Sequence, residues 1–189
     1  MTAAPIEMES ALWRFSLAVY RGAGVQEECL DVQERHGVDV NLLMLCAYAG
    51  AVEGAELSAT EVADALDATL AWHADVVRAL RQVRRTLKRW GAGGQGALSQ
   101  VTEALRVKVK GAELEAEQVE QAMMWRWLRL RAARLPAPDR RAALAGNVRA
   151  LLVRCGAEGA GADPLQALPR FCAAALQAGA RDRSTGTGS

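Results

Sequence analysis

The chain has 189 residues, 51% of them apolar, and a net charge of only +1. That length fits one domain, or one domain with an appendage, and that apolar share is enough for a real core. Ala and Leu dominate, Ile6 is the one isoleucine, and β-branched residues other than Val are few, which favours helix and argues against a sheet.

Near-neutrality hides an uneven distribution. Up to Val77 there are 13 acids and 3 bases; from Arg78 onward there are 9 acids and 20 bases. Such a split either pairs internally or offers a basic face to an acidic partner. The longest apolar run, Val40 to Val52, is too short to cross a bilayer, so no transmembrane segment is expected. No basic-then-apolar leader opens the chain, so no secretion signal is expected. Cys29, Cys46, Cys155 and Cys172 form no CxxC pair and sit in apolar or helical settings, as buried thiols in a reducing cytoplasm would. A cytoplasmic location is therefore expected, and no metal or other cofactor.

In chain order, residues 1–8 read as a loose leader. Ser10 caps a helix to about Arg21 that turns Leu12, Phe15 and Val19 inward and ends at Gly22 and Gly24. A second helix covers about Val25 to His36, with Val25, Cys29 and Val32 on one stripe. Gly37 suits its C′ position, where φ is positive, and Asp39 caps the next helix by accepting a backbone N–H. That helix, Val40 to about Glu53, is apolar all round and belongs at the centre of a bundle. Ser58 and Glu61 form a capping box for a long helix from Ala59 to about Arg89.

The Gly-rich run from Trp90 to Gly96 is the clearest breaker. A long helical pattern follows from Leu98 to about Leu135, with Gly111 as a weak point, and the two long segments fold back as an αα-hairpin. Pro136 ends the pattern and Pro138 suits the N1 position of a helix to about Cys155. Arg154 to Ala162 reads as a linker. Asp163 and Pro164 start a last helix to about Ala178, and residues 180–189 read as a disordered tail. The expected fold is an all-α bundle of about seven helices in one domain, 1–179. Helix 40–52 lies at its centre and the hairpin turns around residues 90–96.

Three places carry candidate chemistry. The first is the corner His36-Gly37-Val38-Asp39, where His36, Asp39 and Asn41 meet beside the shared face of Asp31, Glu34 and Arg35. A carboxylate–His set there could do acid–base work or hold a divalent ion. The bland account is that Asp39 caps, Asn41 satisfies backbone groups and the acids are solvated. Physics argues against specific DNA reading by a helix-turn-helix, since the second helix presents Leu, Met, Cys and Ala where base edges need polar groups. No nucleophile elbow, HExxH or phosphate loop occurs, and the Gly-rich run lacks the Lys-Ser/Thr ending. His73, after Trp72, lies at the edge of the apolar Val62–Val76–Val83 stripe, a packing position.

The second place is the basic segment. On a helical projection Arg78, Arg81, Arg84, Arg85, Lys88 and Arg89 share an arc of about 140°. Leu80, Val83, Leu87 and Trp90 form the apolar edge, and Glu103 is the one acid against nine bases over 78–110. The face is solvated, or pairs with acids of residues 27–34 or with Glu61, Asp64 or Asp67; failing that, it binds RNA or another polyanion. The third place is Met123 to Arg131, where Met123, Trp127 and Leu130 make a core stripe and Trp125 points elsewhere, either stacked with arginine or anchoring a partner.

Leu12-Trp13, Ser16, Tyr20, Gln33 and the string Gly37-Val38-Asp39-Val40-Asn41-Leu42-Leu43 resemble domain-of-unknown-function family 2390, over roughly residues 10–110, with 111–179 as a C-terminal helical extension. The resemblance implies a small helical bacterial cytoplasmic protein and transfers no catalytic residues. The function expected is that of a non-catalytic adaptor or regulator binding a protein partner through Arg81, Arg84, Arg85, Lys88, Arg89 and Trp125. The alternatives are an RNA- or polyanion-associated module, or a small-molecule or metal-dependent enzyme at the 31–41 corner.

Overall fold

The computed structural model describes residues 6–93, 97–131, 139–157 and 163–186. Every regular element among them is helical, as composition requires. Helix α1 (Ala11–Tyr20) starts where Ser10 Oγ accepts the Trp13 N–H at 3.1 Å. Helix α2 (Val25–His36) ends at Gly37, whose φ of 65° closes the cap back to Gln33. Asp39 then caps α3 (Val40–Tyr48), which runs on through a π turn, Ala49–Glu53.

α3 is the hub. Every residue from Asn41 to Ala51 is buried, and one continuous core joins it to side chains from Leu12 to Ala178. The π turn passes so close to α7 (Arg140–Arg154) that a Cβ on Gly50 would lie 2.5 Å from the Leu144 backbone. A π turn frees carbonyls from the ordinary ladder. Asn147 of α7 takes up two carbonyls around this one: its Nδ2 donates to Cys46 O (3.2 Å) and Ala55 O (2.9 Å), while its Oδ1 accepts the Leu57 N–H (2.7 Å).

The predicted capping box at Ser58 and Glu61 opens α4 (Ala59–Trp72). A second π turn, His73–Val77, joins α4 to α5 (Arg78–Gly93), so the expected single helix is one rod with a wide turn in the middle. It folds back on α6 (Ala97–Arg129), 33 residues and about 50 Å long, as the expected hairpin. α5 packs almost wholly on α6, so the two form an arm of about 24 Å.

Several boundaries differ from expectation. α5 continues through Gly91 to Gly93, which were expected to break the helix, and residues 94–96 of the Gly-rich run lie outside the described residues. Gly111 does not interrupt α6, which ends at Arg129 rather than near Leu135. Pro136 and Pro138 lie outside the described residues, but α7 begins at Arg140, capped by Asp139, so position 138 is not its first residue. Asp163 caps as predicted, yet its helix, α8 (Pro164–Ala167), lasts one turn, because Pro169 biases Leu168 away from helical ψ. The chain restarts as α9 (Pro169–Gly186), which runs past Ala178 into the segment expected to be disordered. Glu28 of α2 caps α9 from outside, accepting the Arg170 and Phe171 N–H groups at 3.1 and 2.8 Å. No helix among the described residues is long and apolar enough to cross a membrane.

The largest correction concerns α6. Met123 and Trp127 are only half-buried and Leu130 is 70% exposed. The inward face is Glu113, Ala116, Glu120, Gln121, Met124 and Leu128. Two Glu and one Gln on the core side disguise that face from any apolar-stripe reading.

Candidate functional site: a buried polar cluster beside a basic cleft

The corner supplies half of a buried polar cluster. Asp39 Oδ1 accepts the Asn41 N–H at 2.8 Å, as a cap should. Its other oxygen, Oδ2, is buried without a hydrogen bond and lies 3.4 Å from His73 Nδ1. His73 is the first residue of the second π turn, a kind of turn common at functional positions. Its Nδ1 is also 2.9 Å from Glu120 Oε1 of α6. Glu120 is fully buried, and its Oε2 accepts from Asn41 Nδ2 at 2.6 Å.

The amides continue this into a directed chain. A carboxylate only accepts, so Asn41 turns its NH₂ to Glu120 and its Oδ1 to Gln121, which donates at 2.9 Å. Gln121 thereby offers its Oε1 to Ser16, whose Oγ lies 2.8 Å from it and 2.9 Å from Leu12 O, two acceptors for one proton. Four elements therefore meet: α1, the start of α3, the π turn and α6.

Electrostatics follow from burial. Desolvation, then the Glu120 charge, pushes the Asp39 carboxyl up to about 7, against the pull of His73 and the backbone N–H groups of Asn41 and Leu42. The hydrogen bond to Glu120 raises His73 above its ordinary value, with burial opposing and Asp39 adding to the rise. Of the corner candidates, Asp39 and Asn41 are brought together. His36, half-buried, makes none of these contacts, and its place is taken by His73. Glu120 and Gln121 were missed, because nothing local in the sequence marks them. Asp31 and Arg35 form an exposed pair at 2.7 Å on the solvent side of α2.

Asp39, Asn41, Ser16 and Gln121 also line a cleft of about 580 Å³ between α1–α2 and the base of the arm. Trp13, Leu17, Leu30, Met44, Val107 and Leu114 form its apolar walls, and Arg81, Arg84, Arg85 and Lys110 its basic side. Arg81 Nε donates to Glu113 (3.0 Å) and its Nη2 to Glu117 (2.7 Å); Arg84 holds Glu113 by both Nε and Nη2. Burial pushes Glu113 up, but the hydrogen bonds and charges of Arg84 and Arg81 outweigh it and hold the carboxyl below its ordinary value. Two bases of the predicted face are therefore paired internally, with acids of α6 rather than those of residues 27–34 or of α4.

Arg85, Lys88 and Arg89 are exposed, and Arg89 donates to Thr86. Trp125 is half-buried: its ring meets Tyr48 edge-on at 5.6 Å, its Nε1 donates to Glu7 (2.8 Å), and Arg129 lies 5.3 Å from its centroid. The stacked arrangement, not a free anchor, describes it.

No curated protein and no solved structure matches the chain. A family model covers residues 11–124, which takes in every member of the cluster from Ser16 to Gln121, all of α5, and α6 as far as Met124. On that match the chain belongs to DUF2390, a family of proteins of unknown function.

Proposed function

We propose that this protein is a non-catalytic binding protein that takes a small anionic organic molecule into the cleft between α1–α2 and the arm. One observation carries the reading: Arg85 and Lys110 line the cleft and form no ion pair among the described residues, while Arg81 and Arg84 beside them are neutralised by Glu113 and Glu117. Apolar walls with a few convergent charged or polar groups are the ordinary make-up of a ligand site. A carboxylate or phosphate would meet Arg85 and Lys110, and the ligand's apolar body would lie against Leu30, Val107 and Leu114. Binding rather than turnover is supported by Ser16, whose hydroxyl faces two acceptors and no base.

Thermal melting against a panel of carboxylates and phosphate esters tests this. At least one class is expected to raise the midpoint by several degrees. The double variant Arg85→Glu/Lys110→Glu changes two exposed positions, so it should melt like the parent without ligand and show no shift with it. A panel without effect, or a shift that survives the double variant, defeats the proposal.

A second reading, an adaptor for an acidic protein, is favoured by the arm. Val83, Trp90, Leu98, Val101 and Leu105 are each about half exposed or more, beside the exposed Lys88 and Arg89. Capture of a partner from a bacterial lysate should survive nuclease and fail with Lys88→Glu/Arg89→Glu. Capture lost on nuclease treatment, with a steep salt dependence, would point instead to RNA.

A further inference from the structure

We propose that Asp39, His73 and Glu120 form a site for one divalent transition-metal ion, independently of what occupies the cleft. One donor atom from each residue, a carboxylate oxygen of Asp39 and of Glu120 and a ring nitrogen of His73, lies within 4.8 Å of the other two. Two of the separations are 2.9 and 3.4 Å. Adjacent ligands of an ion bound at about 2.1 Å stand roughly 3 Å apart, so His73 Nδ1 already stands near ligand spacing from both carboxylates.

The independent sign of a missing cation is Asp39. Its side chain is 8% exposed, one oxygen is committed to the cap, and the other is buried with no hydrogen bond. His73 Nδ1, a member of the same cluster, pairs with that oxygen loosely at 3.4 Å, and a buried carboxylate oxygen with no hydrogen bond is poorly compensated for its desolvation. Glu120 adds a second carboxylate with no exposure at all, and the cluster holds a single imidazole against the two. An ion at this point would take the place of the proton now lying between His73 Nδ1 and Glu120 Oε1, which would pass to solvent.

The surroundings are those of a prepared site. The Ser16–Gln121–Asn41 chain fixes the orientation of Glu120 through Oε2 and leaves Oε1 for the ion, the role outer hydrogen bonds play around metal ligands. Each donor is held by a helical element: Asp39 as the cap of α3, His73 in the π turn and Glu120 in α6. Asp39 and Asn41 also line the cleft, so the cluster lies next to it. Two oxygens and one imidazole nitrogen suit Mn²⁺, Fe²⁺ or Zn²⁺ better than Mg²⁺ or Ca²⁺, which favour all-oxygen shells.

The test uses the full chain, stripped with chelator and titrated with Mn²⁺ alone. Calorimetry should give one ion per chain. Pulsed electron paramagnetic resonance should show modulation from a directly bound imidazole nitrogen. Asp39→Asn keeps a good capping residue, so the fold should hold while affinity falls at least tenfold. His73→Gln should abolish the nitrogen modulation, and Asp64→Asn, an exposed acid elsewhere, should change nothing. Absence of binding, binding untouched by Asp39→Asn and His73→Gln, or bound Mn²⁺ without nitrogen modulation would each overturn the site. Should either variant fail to fold, the nitrogen signal of the parent protein decides alone.

Discussion

Asn41 Nδ2 donates to Glu120 Oε2 over 2.6 Å, joining residues 79 positions apart at the centre of the bundle. Asn41 is thereby more than a filler at the start of an apolar helix. It connects the α3 cap and the Ser16 chain to the buried Glu120, alongside the contact that His73 makes with both carboxylates.

Replacing it should be costly. Asn41→Leu leaves a buried carboxylate oxygen and the Gln121 amide without their partner, which should cost about 3 kcal/mol in urea melts. Adding Glu120→Leu removes the orphaned charge, so the double variant should recover part of that loss. Strictly additive losses would mean that the two side chains do not interact.

The pairing of α5 with α6 has a pH signature. Glu113 is held below its ordinary value in the folded chain, so its contribution is present above the ordinary glutamate range and lost as pH falls through the folded value. Glu113→Gln should therefore cost about 2 kcal/mol at pH 7, as expected for hydrogen bonds to charged groups. The gap to the parent should shrink as the pH is lowered from 5 toward about 3. A gap that is constant over that range would show that the charge contributes nothing.

Gly37 tests the corner separately from the cluster. Its φ is 65° and a Cβ there would meet nothing within 4 Å, so the cost of Gly37→Val is conformational rather than steric against neighbours. Left-handed strain for a β-branched residue should remove about 1–2 kcal/mol, and Gly37→Asn much less. Equal losses for Val and Asn would contradict this.

The thiols provide a solution check on the packing. Burial pushes Cys29, Cys46 and Cys172 up to about 12, with Glu28 adding to the rise for Cys29, whereas Cys155 is half-buried, and Arg154 beside it opposes the rise that burial causes. At pH 8 a maleimide should label Cys155 first, and the other three only at the rate of unfolding. Rapid modification of all four would show that the core is open.

The division between what was legible and what was not follows the range of each interaction. Helix content, the caps at Ser10, Asp39, Ser58 and Asp163, the turn at Gly37 and the burial of α3 all depend on residues within a few positions of one another or on local periodicity, so the sequence by itself determined them. Where that periodicity is ambiguous, local reading failed. The inward face of α6 carries Glu113, Glu120 and Gln121, and their burial is tolerated only because Arg81, Arg84, His73 and Asn41 arrive from other helices to pair with them. Polar residues have no apolar signature, and their partners stand 29 to 105 positions away. Tertiary structure alone decided that His73 rather than His36 joins Asp39. It also decided that two of the six bases of the basic helix are neutralised by its own hairpin, and that two carboxylates and an imidazole share one point. Desolvation makes such a cluster costly unless every member is compensated, and only the complete fold brings the compensating groups together.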